Sequence, residues 1–292
     1  MATETMYATV ALPYLKASYG SNLGHTRDSN EDNVLVIAWP DQAALLCVVA
    51  DGMGGHNGGE TASRIVTEVF RELISYPLPS TQVARYEMLM DQFGKADEAV
   101  RDRAALDTRL RGMGSTVVAA IVTPQECLHL YAGDCRLYHF REGKQLHVTA
   151  DHSVIRLLLE MGQITPAEVD QHPMRSIVTS AIGGNSNNQL LVSPPLNSVT
   201  DMDTLEHTSK ATLSDQQPFL QLEAGDVLIM CSDGLCGEIE QSELQRLVEQ
   251  SSTEPHALVH SSIVAALQAG GQDNISVIVV CVADAGNPRF PE

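Results

Sequence analysis

Acidic residues stand beside apolar, strand-like stretches throughout this chain. Four such junctions are Asn30-Glu31-Asp32-Asn33 before Val34–Ala38, Asp51-Gly52 after Ala43–Ala50, Asp233-Gly234 after Asp226–Cys231, and Asp273-Asn274 before Ile275–Val282. Taken singly, an Asp-Gly or Asp-Asn pair is an ordinary turn signal. Carboxylates gathered at one rim of a buried sheet would repel one another unless cations neutralised them. The recurrence therefore indicates a cation site.

The ligand types indicate which cation this would be. Carboxylates without His or Cys partners suit Mg²⁺ or Mn²⁺ better than zinc. Gly52 is a candidate carbonyl ligand, because a residue without Cβ lets other groups approach its backbone closely. Two such ions about 4 Å apart can clamp an in-line displacement at phosphorus and hold the attacking hydroxide.

Two kinds of element must position these residues. Helical apolar spacing predicts helices over Gly59–Ser75, Val154–Met161 and Val259–Leu267. A longer polar-rich helix, interrupted or weakened at Gly94, is predicted over about Thr81–Leu106. Short Val- and Ile-rich runs predict strands at Val34–Ala38, Ala43–Ala50, Thr116–Val122, Asp226–Cys231 and Ile275–Val282. Their continuous apolar character indicates burial on both faces.

Short connections decide how the strands are paired. Thr116–Thr123, Glu126–Ala132 and Arg136–Arg141 are joined by links too short for crossover helices, so we expect antiparallel hairpins. Together these features predict an α+β fold with two packed antiparallel β-sheets flanked by helices, a four-layer α-β-β-α sandwich. The polar, Gly- and Pro-containing stretch over residues 183–217 is predicted to be loop.

Composition narrows the classes of protein. With 43% hydrophobic residues among 292, the chain is predicted to form a single domain over residues 1–292. A net charge of -19 disfavours a nucleic-acid binder. We also expect no membrane span, a cytoplasmic location, a monomer, and six cysteines that remain buried free thiols.

The ordered motifs resemble the metal-dependent Ser/Thr protein phosphatase family (type 2C) in its bacterial form. The matching segments are Gly24-His25-Thr26-Arg27, Asn30-Glu31-Asp32, Val49-Ala50-Asp51-Gly52-Met53-Gly54-Gly55, Gly114-Ser115-Thr116, Ala132-Gly133-Asp134-Cys135-Arg136, Thr149-Ala150-Asp151-His152-Ser153, Gly225-Asp226, Cys231-Ser232-Asp233-Gly234-Leu235 and Asp273-Asn274-Ile275-Ser276-Val277. They span residues 18–282. The family fold is the sandwich expected above.

The resemblance implies a role for each matching residue. Asp51 would bridge two Mn²⁺ or Mg²⁺ ions, Asp233 and Asp273 would hold one of them, and the Gly52 carbonyl the other. Glu31 would contact the second ion through water, with Asp32 supporting. Bacterial members can hold a third ion through aspartates matching Asp134 and Asp233, so Asp134 joins the metal ligands.

The remaining implications concern the substrate. Arg27 would grip the substrate phosphate as a bidentate donor, and Asp51 and Arg27 are the catalytic pair. The expected reaction is hydrolysis of phosphoserine and phosphothreonine by direct attack of a metal-bridging hydroxide. The substrates would be phosphorylated proteins, products of an opposing Ser/Thr kinase. Residues 162–188 match a flap beside the active site, and residues 194–217 look like an insertion.

Two departures from the family and three other functions bear on this interpretation. Met53 stands where animal enzymes carry a His, so a metal-bound water is expected to protonate the leaving oxygen. Cys135 replaces the usual Ser.

A phosphatase of a small phosphoester would use the same metal site. A regulatory pseudo-phosphatase, or the branch that acts on anti-sigma-factor antagonists, would share the fold; the intact Arg27, Asp51, Asp233 and Asp273 argue against the pseudo-phosphatase.

Overall fold

The computed structural model describes residues 5–55, 58–169, 171–184, 190–196, 217–251 and 254–283. Their strands are β1 (Met6–Ala11), β2 (Leu15–Asn22), β3 (Asp32–Trp39), β4 (Ala44–Met53), β5 (Gly114–Val122), β6 (Glu126–Ala132), β7 (Arg136–Arg141), β8 (Lys144–Val148), β9 (Ile182–Gly183), β10 (Phe219–Gln221), β11 (Val227–Cys231) and β12 (Ile275–Val282). Their α-helices are α1 (Gly58–Arg71), α2 (Gln82–Leu106), α3 (Val154–Glu160), α4 (Asp233–Cys236), α5 (Gln241–Gln250) and α6 (Pro255–Ala269).

The strands form two antiparallel sheets. The first sheet, called sheet A, has the order β1-β2-β12-β11-β7-β8, and sheet B has the order β10-β6-β5-β4-β3, with β9 paired to β5. An apolar cluster that includes Val49, Val118 and Ile278 fills the space between the sheets. This central cluster buries the inner face of each sheet, and helices cover the outer faces. Both faces of the strands are therefore buried, which explains why their sequences are apolar throughout.

Helices cover both outer faces. The helices α1 and α2 pack on sheet B around a cluster that includes Phe70 and Phe93, whose rings meet edge to face at 5.3 Å. On sheet A, α5 and α6 cover a cluster that includes Leu247 and Ile263. The expected four-layer α+β sandwich is therefore confirmed.

The predicted helices are present, with one correction. The α1 helix continues as a 3-10 turn over Glu72–Ser75, which matches the predicted helix over Gly59–Ser75. The α2 helix runs unbroken through Gly94, so the predicted interruption there is wrong. A Cβ at Gly94 would meet no atom within 4 Å, because this position of the helix faces open space. Packing of the apolar face outweighs the low helix propensity of one glycine.

One of the two predicted hairpins is wrong. The strands β5 and β6 pair as an antiparallel hairpin, from Val117 against Ala132 to Val122 against Cys127. The next link instead carries the chain from β6 in sheet B to β7 in sheet A. Gly133, with φ of 109°, makes this turn possible, since few other residues adopt that conformation. A short link can therefore change sheets as well as close a hairpin.

The predicted flap and the predicted insertion are each described only in part. Of the predicted flap, residues 162–169 and 171–184 are described; they contain a 3-10 turn at Pro166–Glu168 and the short strand β9. Most of the predicted insertion, residues 197–216, lies outside the described residues. Among the helices that the structure describes, none is long and apolar enough to cross a membrane.

Candidate active site

The register of both sheets brings the acidic motifs to the same end of the sandwich. In sheet B, Asp32 at the start of β3 pairs with Asp51 near the end of β4, and Asp51 also pairs with Thr116 at the start of β5. In sheet A, the end of β11 pairs with the starts of β7 and β12. Asp233 follows β11 and Asp273 precedes β12, so they face the same rim as Asp51.

Asp51 and Asp32 form the sheet B side of the rim. Asp32 is buried and accepts a hydrogen bond from the Ser232 hydroxyl at 2.7 Å, which ties the start of β3 to the end of β11. Burial raises the pKa of Asp32 to about 8. Burial first, and then the charges of Asp32, Asp233 and Asp134, raise the pKa of Asp51 well above its ordinary value.

Asp233 is the first residue of α4, the single helical turn after β11. Its Oδ1 atom is buried and has no hydrogen-bond partner among the described residues. Burial and the neighbouring charge of Asp273 raise the pKa of this carboxyl group. Gly234 lets the turn pack against the strand start at Asn274, since a Cβ at Gly234 would lie 2.0 Å from the Asn274 carbonyl oxygen.

Arg27 reaches the rim from the link between β2 and β3. Its guanidinium donates to Asp273 Oδ2 at 2.6 Å, and the Arg27 side chain is half exposed. The bond to Asp273 raises the pKa of Arg27, with smaller contributions from Glu31 and Asp233. The described structure thus joins the predicted phosphate-binding arginine to a predicted metal ligand.

Glu31 and Gly52 meet at the start of α1. The Gly52 amide donates to the Glu31 carbonyl at 3.1 Å, and the Ser63 hydroxyl donates to the same carbonyl at 2.5 Å. A Cβ at Gly59 would lie 2.7 Å from both the Gly52 oxygen and the Glu31 carboxyl carbon. The Gly52 carbonyl and the Glu31 carboxyl group therefore converge on one glycine-lined space. Burial raises the pKa of Glu31, although Arg27 opposes this.

Asp134 occupies the turn between β6 and β7, where the chain changes sheets. It lines a cleft of about 730 Å³ together with Asp233 and Asp273. Burial, then the charges of Asp233 and Asp151, raise the pKa of Asp134 to about 7. Arg136 also lines this cleft, but its guanidinium is held by both oxygens of Asp151 at 2.7 Å.

The donors fit a hard divalent cation in chemical type. Carboxylate and carbonyl oxygens are the ligands that Mg²⁺ and Mn²⁺ prefer. Burial first, and then the charges of neighbouring carboxylates, raise the pKa values of the carboxyl groups at the rim. Within the described part of the chain, no three His, Cys, Asp or Glu side chains are arranged as a closed metal-binding group. Asp273, for one, is paired with Arg27. An ion would therefore have to draw the carboxylates closer together.

All the site residues predicted from the sequence lie at this rim. Sequence reasoning missed the residues that hold them. Asn274 binds three backbone groups of the link between β2 and β3: it accepts from the Glu31 amide at 2.7 Å and donates to the carbonyls of Leu23 and Ser29. The buried Ser232 joins the two sheets. Both stand next to a predicted aspartate, and that proximity was the available signal.

A sandwich of two antiparallel sheets flanked by helices is also the fold of solved bacterial serine/threonine phosphatases. A family model described as "Protein phosphatase 2C" matches residues 20–269. The chain therefore belongs to the protein phosphatase 2C family.

Known proteins place it among bacterial members. The chain is 28% identical over 270 residues to "Serine/threonine protein phosphatase PstP" of Mycobacterium tuberculosis, a match that covers 92% of this chain and 45% of PstP. It thus spans less than half of that relative's length. Among solved structures, PppA, described as a regulatory component of the type VI secretion system of Pseudomonas aeruginosa, is 30% identical with a TM-score of 0.71, over 94% of this chain and 100% of PppA. The catalytic domain of PstP in complex with two manganese ions has a TM-score of 0.72 at 26% identity, over 93% and 99% of the two chains.

Proposed function

We propose that this chain is a metal-dependent phosphatase that hydrolyses phosphoserine and phosphothreonine in proteins without a covalent intermediate. The observation that carries the proposal is the convergence of acidic groups with too little positive charge around them, with the buried Asp233 Oδ1 as its clearest member. A buried carboxylate without a partner is costly unless it is protonated or binds a cation. The manganese in the PstP structure indicates which cation to test.

Each residue then has a proposed role. Asp51, Asp233 and Asp273 would hold Mn²⁺ or Mg²⁺, and the Gly52 carbonyl and, through water, Glu31 would serve a second ion, with Asp32 supporting. Asp134 would join Asp233 in holding a possible third ion. Such ions supply a water-derived nucleophile and neutralise the phosphoryl charge.

Arg27 would orient the substrate. Its side chain is half exposed and bound at the rim only to Asp273 among the residues described. If Asp273 held a cation, the Arg27 guanidinium would be available for two parallel hydrogen bonds to a phosphate. Phosphorylated proteins, the products of a Ser/Thr kinase, are the proposed substrates, and the proposed active form is the monomer.

The test measures turnover of a phosphothreonine peptide and of p-nitrophenyl phosphate with Mn²⁺, Mg²⁺ or EDTA. We expect turnover that requires metal, falls by about 10²–10³ in Asp233→Asn, and loses kcat/KM in Arg27→Ala. Arg64→Ala is the matched control, because Arg64 is as exposed as Arg27 (51% and 49%) and is also paired with one carboxylate, at 2.7 Å.

Each other outcome identifies an alternative. Metal-dependent turnover of p-nitrophenyl phosphate but of no phosphopeptide would favour a phosphatase of small phosphoesters. Folded protein that binds Mn²⁺ and turns over neither substrate would overturn the proposal and favour a regulatory binding module.

A further inference from the structure

Two cysteines bracket the turn that carries Asp233. Cys231 is the last residue of β11 and Cys236 the last of α4, so Ser232–Leu235 lie between them. Cys231 belongs to the apolar cluster on the helix-covered face of sheet A, and Cys236 packs against that cluster. The Cys236 thiol donates to the carbonyl oxygen of Ser232, the residue that follows Cys231, at 3.6 Å. Both are free thiols in the structure.

The two thiols differ in their access to solvent. Cys231 is fully buried, whereas Cys236 is partly exposed and lines the same cleft as Asp233 and Arg136. The chain's other four cysteines are buried. A partly exposed thiol can react with oxidants, while a buried thiol nearby can act as its resolving partner.

The turn between these cysteines has little room to move. The Ser232 hydroxyl binds Asp32 at 2.7 Å and accepts from the Ser276 amide at 3.1 Å. Gly234 is packed so closely that a Cβ there would lie 2.0 Å from the Asn274 carbonyl oxygen. A disulfide requires its sulfurs to approach to about 2.05 Å with a restricted dihedral angle. Closing one across this turn would therefore displace α4, and Asp233 is the first residue of α4.

We propose that Cys231 and Cys236 form a peroxide-sensitive dithiol whose oxidation to a disulfide displaces Asp233 and lowers metal affinity and activity. The Cys236 thiolate attacks a hydroperoxide, so that an S–O bond forms, the O–O bond breaks, and hydroxide leaves. The Cys231 thiol then attacks the sulfenic acid; the S–S bond forms, the S–O bond breaks, and the thiol proton leaves with the hydroxyl group as water. Two electrons pass from the two sulfurs to the peroxide, and a small thiol reductant reverses the change.

The activity arm of this proposal rests on the proposed phosphatase function, whereas the covalent arm does not. The full chain is treated with hydrogen peroxide in EDTA, the peroxide is removed with catalase, and Mn²⁺ is then added. Peptide mapping after alkylation should find a peptide linked through Cys231 and Cys236. Calorimetry should show Mn²⁺ affinity reduced about tenfold or more, and turnover should fall in parallel and return with dithiothreitol.

Three variants separate the roles of the two thiols. Cys236→Ser should retain its own starting activity after peroxide. Cys231→Ser should form no disulfide and should leave a sulfenic acid at Cys236 that dimedone traps. Cys281→Ser, which removes a buried cysteine from the same sheet, should remain as sensitive as the original chain.

The proposal is overturned if no Cys231–Cys236 link forms, if the link forms with Mn²⁺ affinity unchanged, or if Cys236→Ser is inactivated like the original chain. A reduced protein without any turnover would contradict the proposed function instead. In that case the peptide map and the Mn²⁺ calorimetry still test whether the disulfide forms and whether it lowers Mn²⁺ affinity.

Discussion

Two buried aspartates in this chain should respond in opposite directions to the same substitution. The Asp233 carboxyl group has a buried oxygen without a partner among the described residues, and its pKa is raised by burial and by Asp273. Asp226 is fully buried but accepts hydrogen bonds from Arg141 and His139, each at 2.8 Å. Burial acts to raise the pKa of Asp226, yet these partners outweigh it and lower the pKa to about 2. Replacing each by Asn removes one charge and keeps the size.

The expected magnitudes follow from whether the charge has a partner. Asp226→Asn removes the buried hydrogen-bonding partner of Arg141 and His139, although Arg141 keeps Glu223, and should cost about 2–3 kcal/mol of unfolding free energy. Asp233→Asn removes a repelled charge and should stabilise the metal-free protein by roughly 1–3 kcal/mol. This is less than the about 4 kcal/mol between unit charges 4 Å apart at a dielectric of 20, because protonation and Arg27 already relieve part of the repulsion.

Metal should change this order. At a Mn²⁺ concentration of about 100 times Kd, binding stabilises the folded state by about 2.7 kcal/mol. The original chain and Asp226→Asn should gain this increment, whereas Asp233→Asn should not. The advantage of Asp233→Asn in EDTA should therefore disappear when Mn²⁺ is present.

Urea unfolding at pH 8, with EDTA or with Mn²⁺, measures the free energy of unfolding of the original chain, of Asp226→Asn and of Asp233→Asn. Trp39 is the chain's single tryptophan and is 5% exposed, so its fluorescence reports unfolding directly. The comparison is valid if the slope of free energy against urea is the same for each protein. If Asp233→Asn in EDTA is destabilised as much as Asp226→Asn, the rim does not lack positive charge and the reasoning fails.

Three further predictions test the rim. Arg27→Lys should raise KM about tenfold with a smaller effect on kcat, because an ammonium cannot form the paired hydrogen bonds of a guanidinium; an unchanged KM in peptide assays would contradict this. Gly234→Ala should destabilise the protein by about 1–3 kcal/mol through the steric clash, whereas Gly94→Ala on α2, with open space around it, should stabilise it by about 0.5–1 kcal/mol in urea unfolding. Burial raises the pKa of Asp32 to about 8 and of Asp134 to about 7. The metal-free folded state therefore holds protons that the unfolded chain releases above about pH 4, so its stability should fall as pH rises from about 4 to about 8. Mn²⁺ affinity should rise over the same range, because the ion displaces those protons; urea midpoints in EDTA that rise with pH would refute this.

The sequence was informative where one local signal had one structural meaning. Continuous Val- and Ile-rich runs predicted strands covered on both faces, and the two sheets with outer helices satisfy that requirement. Aspartates next to those runs, such as Asp51 and Asp233, lie at one rim because antiparallel register brings alternate strand ends together. For these aspartates, the metal-binding role inferred from residue type is consistent with their position at the rim of the sheets.

The sequence was uninformative where a feature depends on partners far along the chain. The link from β6 to β7 has the length of a hairpin, and only the packing of the second sheet decides that it crosses. The pairing of Arg27 with Asp273 joins residues 246 positions apart. The crowding around Gly52 comes from Gly59 and the Glu31 backbone. Such contacts cannot be inferred from local residue patterns.

The links that change sheets explain why one end of the sandwich is a candidate active site and the other is not. At the rim, the link from β2 to β3 brings Arg27 and Glu31, and the link from β6 to β7 brings Asp134. At the opposite end, the link from β10 to β11 brings Asp226.

The two ends differ in how their carboxylates are compensated. Asp226 has Arg141 and His139 beside it, and its pKa falls. At the rim, the guanidinium of Arg27 pairs with Asp273 and that of Arg136 with Asp151, while the pKa values of Asp51, Asp134 and Asp233 rise. A link that crosses from one sheet to the other must bury polar groups. At Asp226, cationic side chains beside the carboxylate are sufficient to stabilise it. Among the described residues, the rim has fewer cationic side chains than carboxylates. This is the arrangement expected where a bound metal ion supplies the remaining positive charge.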